Sequence, residues 1–292
     1  MRTGASFTAE TMALQRALES RRPAGSRLFV DPYAEAFLRP SLRLLAVAAG
    51  VAGLRRIATG LYDAVGGTGP RPSAIVRTRV IDDAVTEAAA RVRQCVLLGA
   101  GYDTRAHRLP ALAYMPVFEV DHPRTQAAKR AAVDRLALDR SRIRYVPVDF
   151  ERDDTRPALD AAGFDASAPT VVVWEGVTNY LTAEAVDATL AIVHDLIEAG
   201  GLLVMTYIDA RVLTDPPHFP EAGRWVRAVT RAGEPWTFGL LPTEARAYFA
   251  ARGFRLCRDV STLDAGGAWF ASMHRRDRPS ALYRIATAEL SG

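Results

Sequence analysis

The stretch VLLGAGYDTRAHRLP, residues 96–110, carries an apolar run directly into a Gly-Ala-Gly turn. Glycines in such a turn let the backbone reverse tightly and let a ligand approach without a Cβ in the way. A dinucleotide-binding loop would have a third small residue at position 104, but Thr104 stands there and Asp103 precedes it. Because a carboxylate repels a pyrophosphate group, the loop favours a ligand that has no phosphate and carries positive charge.

S-adenosylmethionine has these properties, since it carries a sulfonium and an ammonium and only one small carboxylate. The residues predicted to bind it at this turn are Gly99, Ala100, Gly101 and Asp103. The alternative is a purely structural turn in which Asp103 caps the helix that follows. A single Gly-x-Gly does not decide between the two interpretations.

Around the turn, short apolar runs alternate with helical stretches, which is typical of a parallel sheet flanked by helices. The predicted strands are residues 94–98, 116–120, 143–148, 170–174 and 202–207, with a terminal pair near 254–260 and 268–274. The predicted helices are residues 73–93, 124–138, 156–162, 183–198, 224–231 and 243–252. This pattern predicts an α/β fold, a doubly wound, mostly parallel sheet of seven strands with an antiparallel edge strand.

The chain also suggests two parts. Residues 1–72 predict a cap of helices joined by turns, and residues 73–292 predict the ligand-binding domain. A Pro-rich, irregular segment near residues 211–239 is predicted to form a lid over the acceptor, with aromatic walls. The aromatic residues of this lid are Phe219, Trp225, Trp236 and Phe238.

Acidic residues follow three further predicted strands. Asp121 ends the second strand, where the doubly wound fold presents an acid to ribose hydroxyls, and Glu119 two residues earlier is the alternative. Asp149 and Phe150 end the third strand and are candidates for the adenine amine and ring. Glu175 follows four strongly apolar residues, so its carboxylate needs an arginine or a ligand ammonium. Asp121, Glu119 and Asp149 each have the alternative role of a helix N-cap.

A cation for the ligand carboxylate is expected on the helix that precedes the first strand. Arg77 is the candidate, because a guanidinium pairs with a carboxylate through two parallel hydrogen bonds. Arg79 is the alternative, since both arginines cannot face the same side of one helix.

Composition excludes several classes of function. The 292 residues include 37 basic and 33 acidic side chains, and the basic ones are dispersed rather than clustered with aromatics, so we expect no nucleic-acid partner. Cys95 and Cys257 indicate no disulfide framework, and the five histidines have no metal-ligand spacing. The apolar segment 44–54 is shorter than the roughly 20 residues that cross a bilayer, so we expect a buried helix or pocket cap. With no signal-peptide pattern, the sequence predicts a cytoplasmic protein without a membrane partner.

Taken in order, GAGYDTRAHRL, FEVDHP, VPVDF and WEGVTNYLTAEAV resemble the leucine carboxyl methyltransferase family. Within it they are similar to the bacterial O-methyltransferases of the tetracenomycin-type polyketide branch. The segments RALESRRP, RLFVDPYAEAFL and VRTRVIDD extend the resemblance, which covers roughly residues 10 to 275.

The resemblance implies a class I methyltransferase fold with S-adenosylmethionine as donor, S-adenosylhomocysteine as product and no metal. It implies that Arg77 binds the donor carboxylate, Gly99 and Gly101 its methionine portion, Asp121 the ribose, Asp149 and Phe150 the adenine, and Glu175 the amino end. It also implies that Tyr180 lies near the acceptor.

Methyl transfer from a sulfonium is an in-line displacement, so positioning and exclusion of water supply much of the catalysis. A carboxylate acceptor is ionised at neutral pH and needs no base, whereas a phenol or enol needs one. The candidates for such a base are His107, Tyr180, Tyr207 and His122. His107 lies four residues after Asp103, so the two are expected to be able to pair.

The sequence therefore predicts an S-adenosylmethionine-dependent O-methyltransferase acting on a carboxylate or hydroxyl of a small-molecule acceptor, with a secondary metabolite favoured. Two alternatives stay open at this point. One is an NAD-dependent oxidoreductase, which the Asp103-Thr104 pair argues against. The other is a non-catalytic binding module with a methyltransferase-like fold.

Overall fold

The computed structural model of the protein describes residues 7–150 and 152–291. Its seven strands are β1 (Gln94–Leu98), β2 (Val117–Asp121), β3 (Ile143–Pro147), β4 (Thr170–Trp174), β5 (Gly201–Ile208), β6 (Phe254–Ser261) and β7 (Tyr283–Leu290). They form one sheet in the order β3-β2-β1-β4-β5-β7-β6. Every pairing is parallel except the two that β7 makes with β5 and β6. The predicted α/β fold is confirmed, but its antiparallel strand lies one position in from the edge.

Twelve α-helices are present in the described chain. They are α1 (Phe7–Ser20), α2 (Pro40–Gly50), α3 (Arg55–Gly66), α4 (Pro70–Ala88), α5 (Arg105–Arg108), α6 (Pro123–Arg135), α7 (Thr155–Ala161), α8 (Ala183–Leu196), α9 (Arg211–Thr214), α10 (Ala222–Arg231), α11 (Ala245–Ala250) and α12 (Thr262–Ser272).

Helices cover both faces of the sheet, which explains why its inner strands are apolar without alternation. All five residues of β1 and of β4 are buried. On one face Val96, Leu98 and Trp174 pack with residues of α8, and on the other Leu97 and Val173 pack with residues of α4. A strand covered on both sides has no polar face to present, so its side chains are apolar in succession.

The chain reverses its direction of winding between β1 and β4, which lie side by side at the centre of the sheet. In open α/β sheets ligands bind outside the carboxyl ends of the strands at such a switch point. The Gly-Ala-Gly turn follows β1, and Glu175 follows β4. The topology thus brings two of the sequence candidates to one crevice.

One predicted strand is wrong. Residues 268–274 belong to helix α12 and its end, whereas the seventh strand is β7, which the sequence analysis left unassigned. The overlooked signal is STLD at 261–264, because the Ser261 hydroxyl accepts the Asp264 N–H as an N-cap. The alternating pattern of YRIATAEL is the signal for β7.

The segment 44–54 is not the buried helix that its composition predicts. It forms most of α2 and the link to α3, and only Ala46 and Ala49 in it are buried. Leu44, by contrast, is 71% exposed. Whether residues 1–72 form a unit separate from the sheet domain stays a prediction.

Helix α12 packs closely on α4 through a glycine. A Cβ built on Gly266 would overlap the Val76 Cγ2 methyl of α4 and lie 3.2 Å from Pro279, whereas one on the adjacent Gly267 would meet nothing within 4 Å. Two neighbouring helical glycines therefore have opposite surroundings, one against a core helix and one in open space.

We expect Gly266→Ala to lower the free energy of unfolding by about 1–3 kcal/mol, because an added methyl overfills a packed contact. Gly267→Ala is the matched control and should raise it by about 0.5–1 kcal/mol through helix propensity alone. Urea unfolding of both variants measures the difference. Equal effects of the two substitutions would contradict this packing of α12 on α4.

Candidate functional site

The turn after β1 is built by backbone hydrogen bonds to the neighbouring strand. The N–H groups of Gly99 and Ala100 both donate to the carbonyl of Val120, at 2.8 and 3.0 Å. Gly99 and Gly101 have φ angles of +68° and +45°, a region that residues with a Cβ rarely adopt. A Cβ at Gly99 would also overlap Val177, which follows β4, so the turn closes tightly on that loop.

Asp121 lies beside this turn at the carboxyl end of β2. Its carboxylate accepts the N–H of Gly101 and the N–H of His122, the latter at 2.6 Å. Burial raises the pKa of Asp121 above its usual value, against the opposing effect of those two N–H groups. The structure therefore places together the glycine turn and the acid predicted to hold a ribose.

An arginine–carboxylate network crosses from α4 to the end of β4. Arg77 donates through Nε to Glu175 Oε1 at 2.7 Å, and Arg105 donates to Glu175 Oε2 at 2.5 Å. Burial opposes ionisation of Glu175, but the Arg105 and Arg77 cations outweigh it and hold its pKa below the usual value. The sequence predicts a cationic partner for Glu175, and two arginines of the protein occupy that position.

Arg77 rather than Arg79 points into this region. Arg77 is buried, and its guanidinium lies 4.8 Å from the ring centre of Tyr283 and 2.7 Å from the sulfur of Met12. Arg79 instead pairs with Asp83 on the exposed side of α4 and donates to the Leu28 carbonyl.

Asp103 is engaged by Arg105 through both carboxylate oxygens. One oxygen accepts the Arg105 N–H at 2.7 Å and the other accepts its guanidinium at 2.5 Å. Burial opposes ionisation, yet the Arg105 cation and this backbone N–H keep the pKa of Asp103 well below its usual value. The geometry is the capping arrangement weighed as the alternative, and it also anchors Arg105 at the site.

Arg105 is the residue that sequence reasoning missed. It is 2% exposed and reaches three acids, since its Nε also donates to Asp82 of α4 at 2.7 Å. Arg108, one turn later, adds two hydrogen bonds to the same Asp82. The available signal was the acidic residue after each of two apolar strands, Asp103 and Glu175, each of which needs a cation nearby.

Glu119, the alternative to Asp121, is fully enclosed and lies beneath the site. Its Oε2 is 2.7 Å from Nζ of Lys129 on α6, and both side chains are 1% exposed. Neither group has a geometrically aligned hydrogen bond among the described residues, so the contact is a close ion pair. Burial raises the pKa of Glu119 despite the Lys129 cation. Asp121, not Glu119, reaches the edge of the crevice.

Asp149 and Phe150 follow β3 on the outer side of Asp121. The Asp149 side chain is 27% exposed, and Phe150 is 38% exposed. Asp153 accepts the backbone N–H of Asp149 at 2.8 Å and fixes the start of the loop. Both residues lie at the same sheet edge as Asp121, and their predicted role toward an adenine ring stays a prediction.

Tyr180 lies in a short 3-10 turn after Glu175, within electrostatic range of Arg77 and Tyr283. It packs against a cluster that contains part of the lid, in which the Trp225 ring stacks on Tyr283 with centroids 5.8 Å apart. Trp236 meets Trp225 edge to face at 5.2 Å. Phe219, Trp225 and Trp236 therefore share one cluster with Tyr283 beside Tyr180, whereas Phe238 packs into the core with Tyr248.

His107 is not brought to this site. It faces the loop before β3, with an interaction to the Asp139 backbone and an edge contact to Tyr33. That loop lies at the amino ends of the strands, whereas the crevice lies at their carboxyl ends. The expected pairing with Asp103 is absent, because Arg105 occupies both Asp103 oxygens. Burial and the nearby Lys129 and Arg142 cations lower the pKa of His107 to about 4.

Two negative findings apply to the described ranges, 7–150 and 152–291. Across them, no group of three or more His, Cys, Asp or Glu side chains is placed to hold a metal ion. No helix within them is both long and apolar enough to cross a membrane.

Comparison with known proteins identifies the family of this chain. The model of the leucine carboxyl methyltransferase family matches residues 9–194. A protein of Mycobacterium sp. (strain KMS) assigned as an S-adenosyl-L-methionine-dependent methyltransferase is 35% identical over 267 residues, covering 85% of this chain and 83% of that protein. A protein of Frankia alni with the same assignment is 41% identical over 206 residues, 70% of this chain and 69% of its own.

Two solved structures share the fold at low identity. A protein assigned as a methyltransferase from Thermobifida fusca YX aligns with a TM-score of 0.55 and 20% identity over 94% of this chain and 97% of its own. A DUF574-family protein from Streptomyces avermitilis aligns with a TM-score of 0.60 and 15% identity over 95% and 97%. These likenesses support the fold.

The buried pair beneath the site should be costly to break. We expect Lys129→Met to lower the free energy of unfolding by about 3–5 kcal/mol, because it leaves Glu119 buried without a cation. Arg140→Met removes an exposed pair with Asp134, of 2.8 Å, and should cost under about 1 kcal/mol.

Denaturant unfolding of both variants, of Glu119→Gln and of Glu119→Gln/Lys129→Met measures the pair. The double variant should lose less than the sum of its single substitutions, because the two side chains are coupled. An additive double variant, or equal costs at Lys129 and Arg140, would contradict a buried ion pair.

Proposed function

This chain belongs to the leucine carboxyl methyltransferase family and is an S-adenosylmethionine-dependent methyltransferase, and from this premise we propose that it methylates an oxygen of a small-molecule acceptor. The acceptor oxygen belongs to a carboxylate or a hydroxyl group, and the acceptor is a secondary metabolite. The observation that carries the donor side of this proposal is the buried Arg77–Glu175 pair beside the glycine turn.

The residues present fit the methionine end of S-adenosylmethionine. That end has an α-carboxylate and an α-ammonium, and the site offers a guanidinium and a carboxylate 2.7 Å apart. A Cβ built on Gly176 would lie 3.6 Å from the Arg77 guanidinium, so a glycine leaves room beside it. Arg77 then binds the α-carboxylate of the ligand through bidentate hydrogen bonds, and Glu175 accepts a hydrogen bond from its α-ammonium.

The nucleoside end follows the same edge of the sheet. Asp121 is positioned for the ribose hydroxyls, because its carboxylate already accepts two N–H groups at the turn and has acceptor capacity left. Asp149 and Phe150, farther along the edge, hold the adenine amine and cover its ring. Asp103 contributes indirectly through Arg105, which anchors Glu175.

The reaction needs little side-chain chemistry beyond this. When bound, S-adenosylmethionine supplies the methyl group of its sulfonium, and the sulfur is left as a neutral thioether. The chain's residues align the acceptor with that methyl and exclude water, which accounts for much of the rate in such displacements. Tyr180 is the side chain assigned to orient the acceptor, since it packs against the aromatic lid and lies within electrostatic range of Arg77.

The fold and the family disfavour the oxidoreductase alternative. A dinucleotide-binding sheet is parallel throughout in the order 3-2-1-4-5-6, whereas here the antiparallel β7 lies between β5 and β6. Thr104, at the position of the third small residue, is fully buried and donates to Asp31 at 2.7 Å. A binding module without turnover is distinguished by the acceptor experiment below.

We expect Asp121→Ala to weaken binding of S-adenosylmethionine and S-adenosylhomocysteine by about tenfold to a hundredfold, because hydrogen bonds to a charged acceptor are lost. Asp195→Ala is the matched control, an exposed carboxylate on α8 whose side chain is 65% exposed. Isothermal titration with both ligands and with NAD measures the effect. Wild-type affinity in Asp121→Ala, or binding of NAD alone, would contradict the donor site.

We expect methyl transfer from labelled S-adenosylmethionine to oxygen when carboxylic acids and phenols are screened. A product that releases its label in mild base is a methyl ester, and a base-stable product is an ether. Tyr180→Phe should lower kcat by about tenfold or more if Tyr180 positions the acceptor. His107→Asn should leave kcat unchanged, because His107 lies at the other edge of the sheet. Label found only on nitrogen, sulfur or carbon would overturn O-methylation, and donor binding with no transfer would favour the binding module.

A further inference from the structure

An aliphatic stripe runs along the solvent side of α2 and α3. Leu44 and Val47 are one turn apart on α2, and Ile57, Leu61 and Val65 recur every four residues on α3, so each set shares one face of its helix. Val51 and Leu54, in the link between the helices, are exposed as well. The buried sides of the two helices include Ala46, Ala49 and Ala58.

The exposure of this stripe is unusual for a soluble surface. Leu44 is 71% exposed, Ile57 60%, Leu61 59% and Val65 75%. These seven account for most of the exposed large hydrophobic residues in the described chain. Single exposed apolar residues are ordinary, but a contiguous set marks a surface that meets something apolar.

Positive charge borders the stripe. Arg43 lies on α2, and Arg55 and Arg56 begin α3; among the described residues none of the three forms an ion pair. Arg43 and Arg55 each donate one hydrogen bond to a backbone carbonyl, of Glu35 and Ala49, and keep their positive charge. The one acid in this segment is Asp63, which is already bonded to Arg71 at 2.9 Å. An apolar face with an unneutralised cationic border is complementary to a surface that is apolar inside and anionic outside.

This charge distribution disfavours a second copy of the chain as the occupant. A two-fold contact through the stripe would bring the three arginines of one copy toward those of the other, with no acid of the segment to offset them. The side chains also argue against a protein partner. They are aliphatic throughout, whereas protein interfaces concentrate binding energy in Trp, Tyr and Arg set in pockets.

We propose that the α2–α3 face docks the protein peripherally on an anionic lipid surface. The aliphatic stripe enters the boundary between headgroups and acyl chains, and Arg43, Arg55 and Arg56 contact the lipid phosphates. The expected partner is thus the surface of a bilayer and not its interior, contrary to the absence of a membrane partner that composition predicts. This docking does not depend on the identity of the methyl acceptor.

The docked face lies next to the candidate site. Helix α2 packs on α1 in one buried cluster, and α1 places Met12 against Arg77 and Ala9 close to Gly101. A bilayer against α2 and α3 would therefore lie one helix away from the glycine turn.

Flotation of the full chain with lipid vesicles tests the proposal. We expect wild type to float with vesicles of phosphatidylcholine and phosphatidylglycerol, to bind weakly to phosphatidylcholine alone, and to be released by high salt. Leu44→Ser/Ile57→Ser/Leu61→Ser should reduce the partition coefficient by about tenfold or more, since three aliphatic side chains lose their insertion energy. Arg43→Gln/Arg56→Gln should abolish the preference for anionic vesicles.

Leu263→Ser is the control, because Leu263 is an exposed aliphatic residue on α12, away from the stripe. It should bind like wild type, and circular dichroism and S-adenosylhomocysteine titration of every variant confirm that folding and the donor site are intact. Equal binding to both vesicle types, or to neither, would overturn the proposal. A dimer in analytical ultracentrifugation that the triple serine variant dissociates, without vesicle binding, would assign the stripe to a second copy instead.

Discussion

The contact of Arg105 with three carboxylates holds the centre of this protein together. Its guanidinium meets Asp82 on α4, Asp103 after the glycine turn and Glu175 after β4, all at 2.5–2.7 Å. These residues come from separate parts of the chain, so one cation fixes the helix before the sheet, the turn after β1 and the end of β4 relative to each other. Removing Arg105 would leave Asp103 without its ion-pair partner, whereas Asp82 would keep Arg108 and Glu175 would keep Arg77. An inward-facing carboxylate without a cation destabilises the fold.

This arrangement also fixes the polar groups of the proposed site for a zwitterionic ligand. Glu175 has Arg105 on one oxygen and Arg77 on the other, so its charge is balanced by a cation from each side. Arg77 is held in turn by Tyr283, Met12 and Glu175. The polar groups are therefore fixed by protein contacts, and binding need not reorganise them, which lowers the entropic cost of association.

Much of the fold follows from local pattern, and what local pattern misses is instructive. Strands β1 and β4 were predictable to the residue, because strands covered on both faces consist of unbroken apolar runs. Strand β7 does alternate, but its Ala, Thr and Arg residues make that alternation weak, and its pairing with β5 is what establishes it as a strand. At the candidate site, the positions of Gly99, Asp121 and Glu175 were predictable, because each follows or ends a parallel strand and the carboxyl ends of these strands meet at one edge of the sheet. Arg105 follows the turn like any helical arginine, and its role depends on acids far away in sequence.

Lys129 has a consequence of a practical kind. It is the single lysine of the chain, which otherwise uses arginine. Its side chain is 1% exposed and lies next to Glu119. Amine-reactive labels and cross-linkers will therefore find no ε-amino group on the folded surface. Conversely, isotope-labelled lysine will give one side-chain resonance, from a group that contacts Glu119 in β2. The protein thus carries its own spectroscopic reporter beneath the candidate site, with no background signal to subtract.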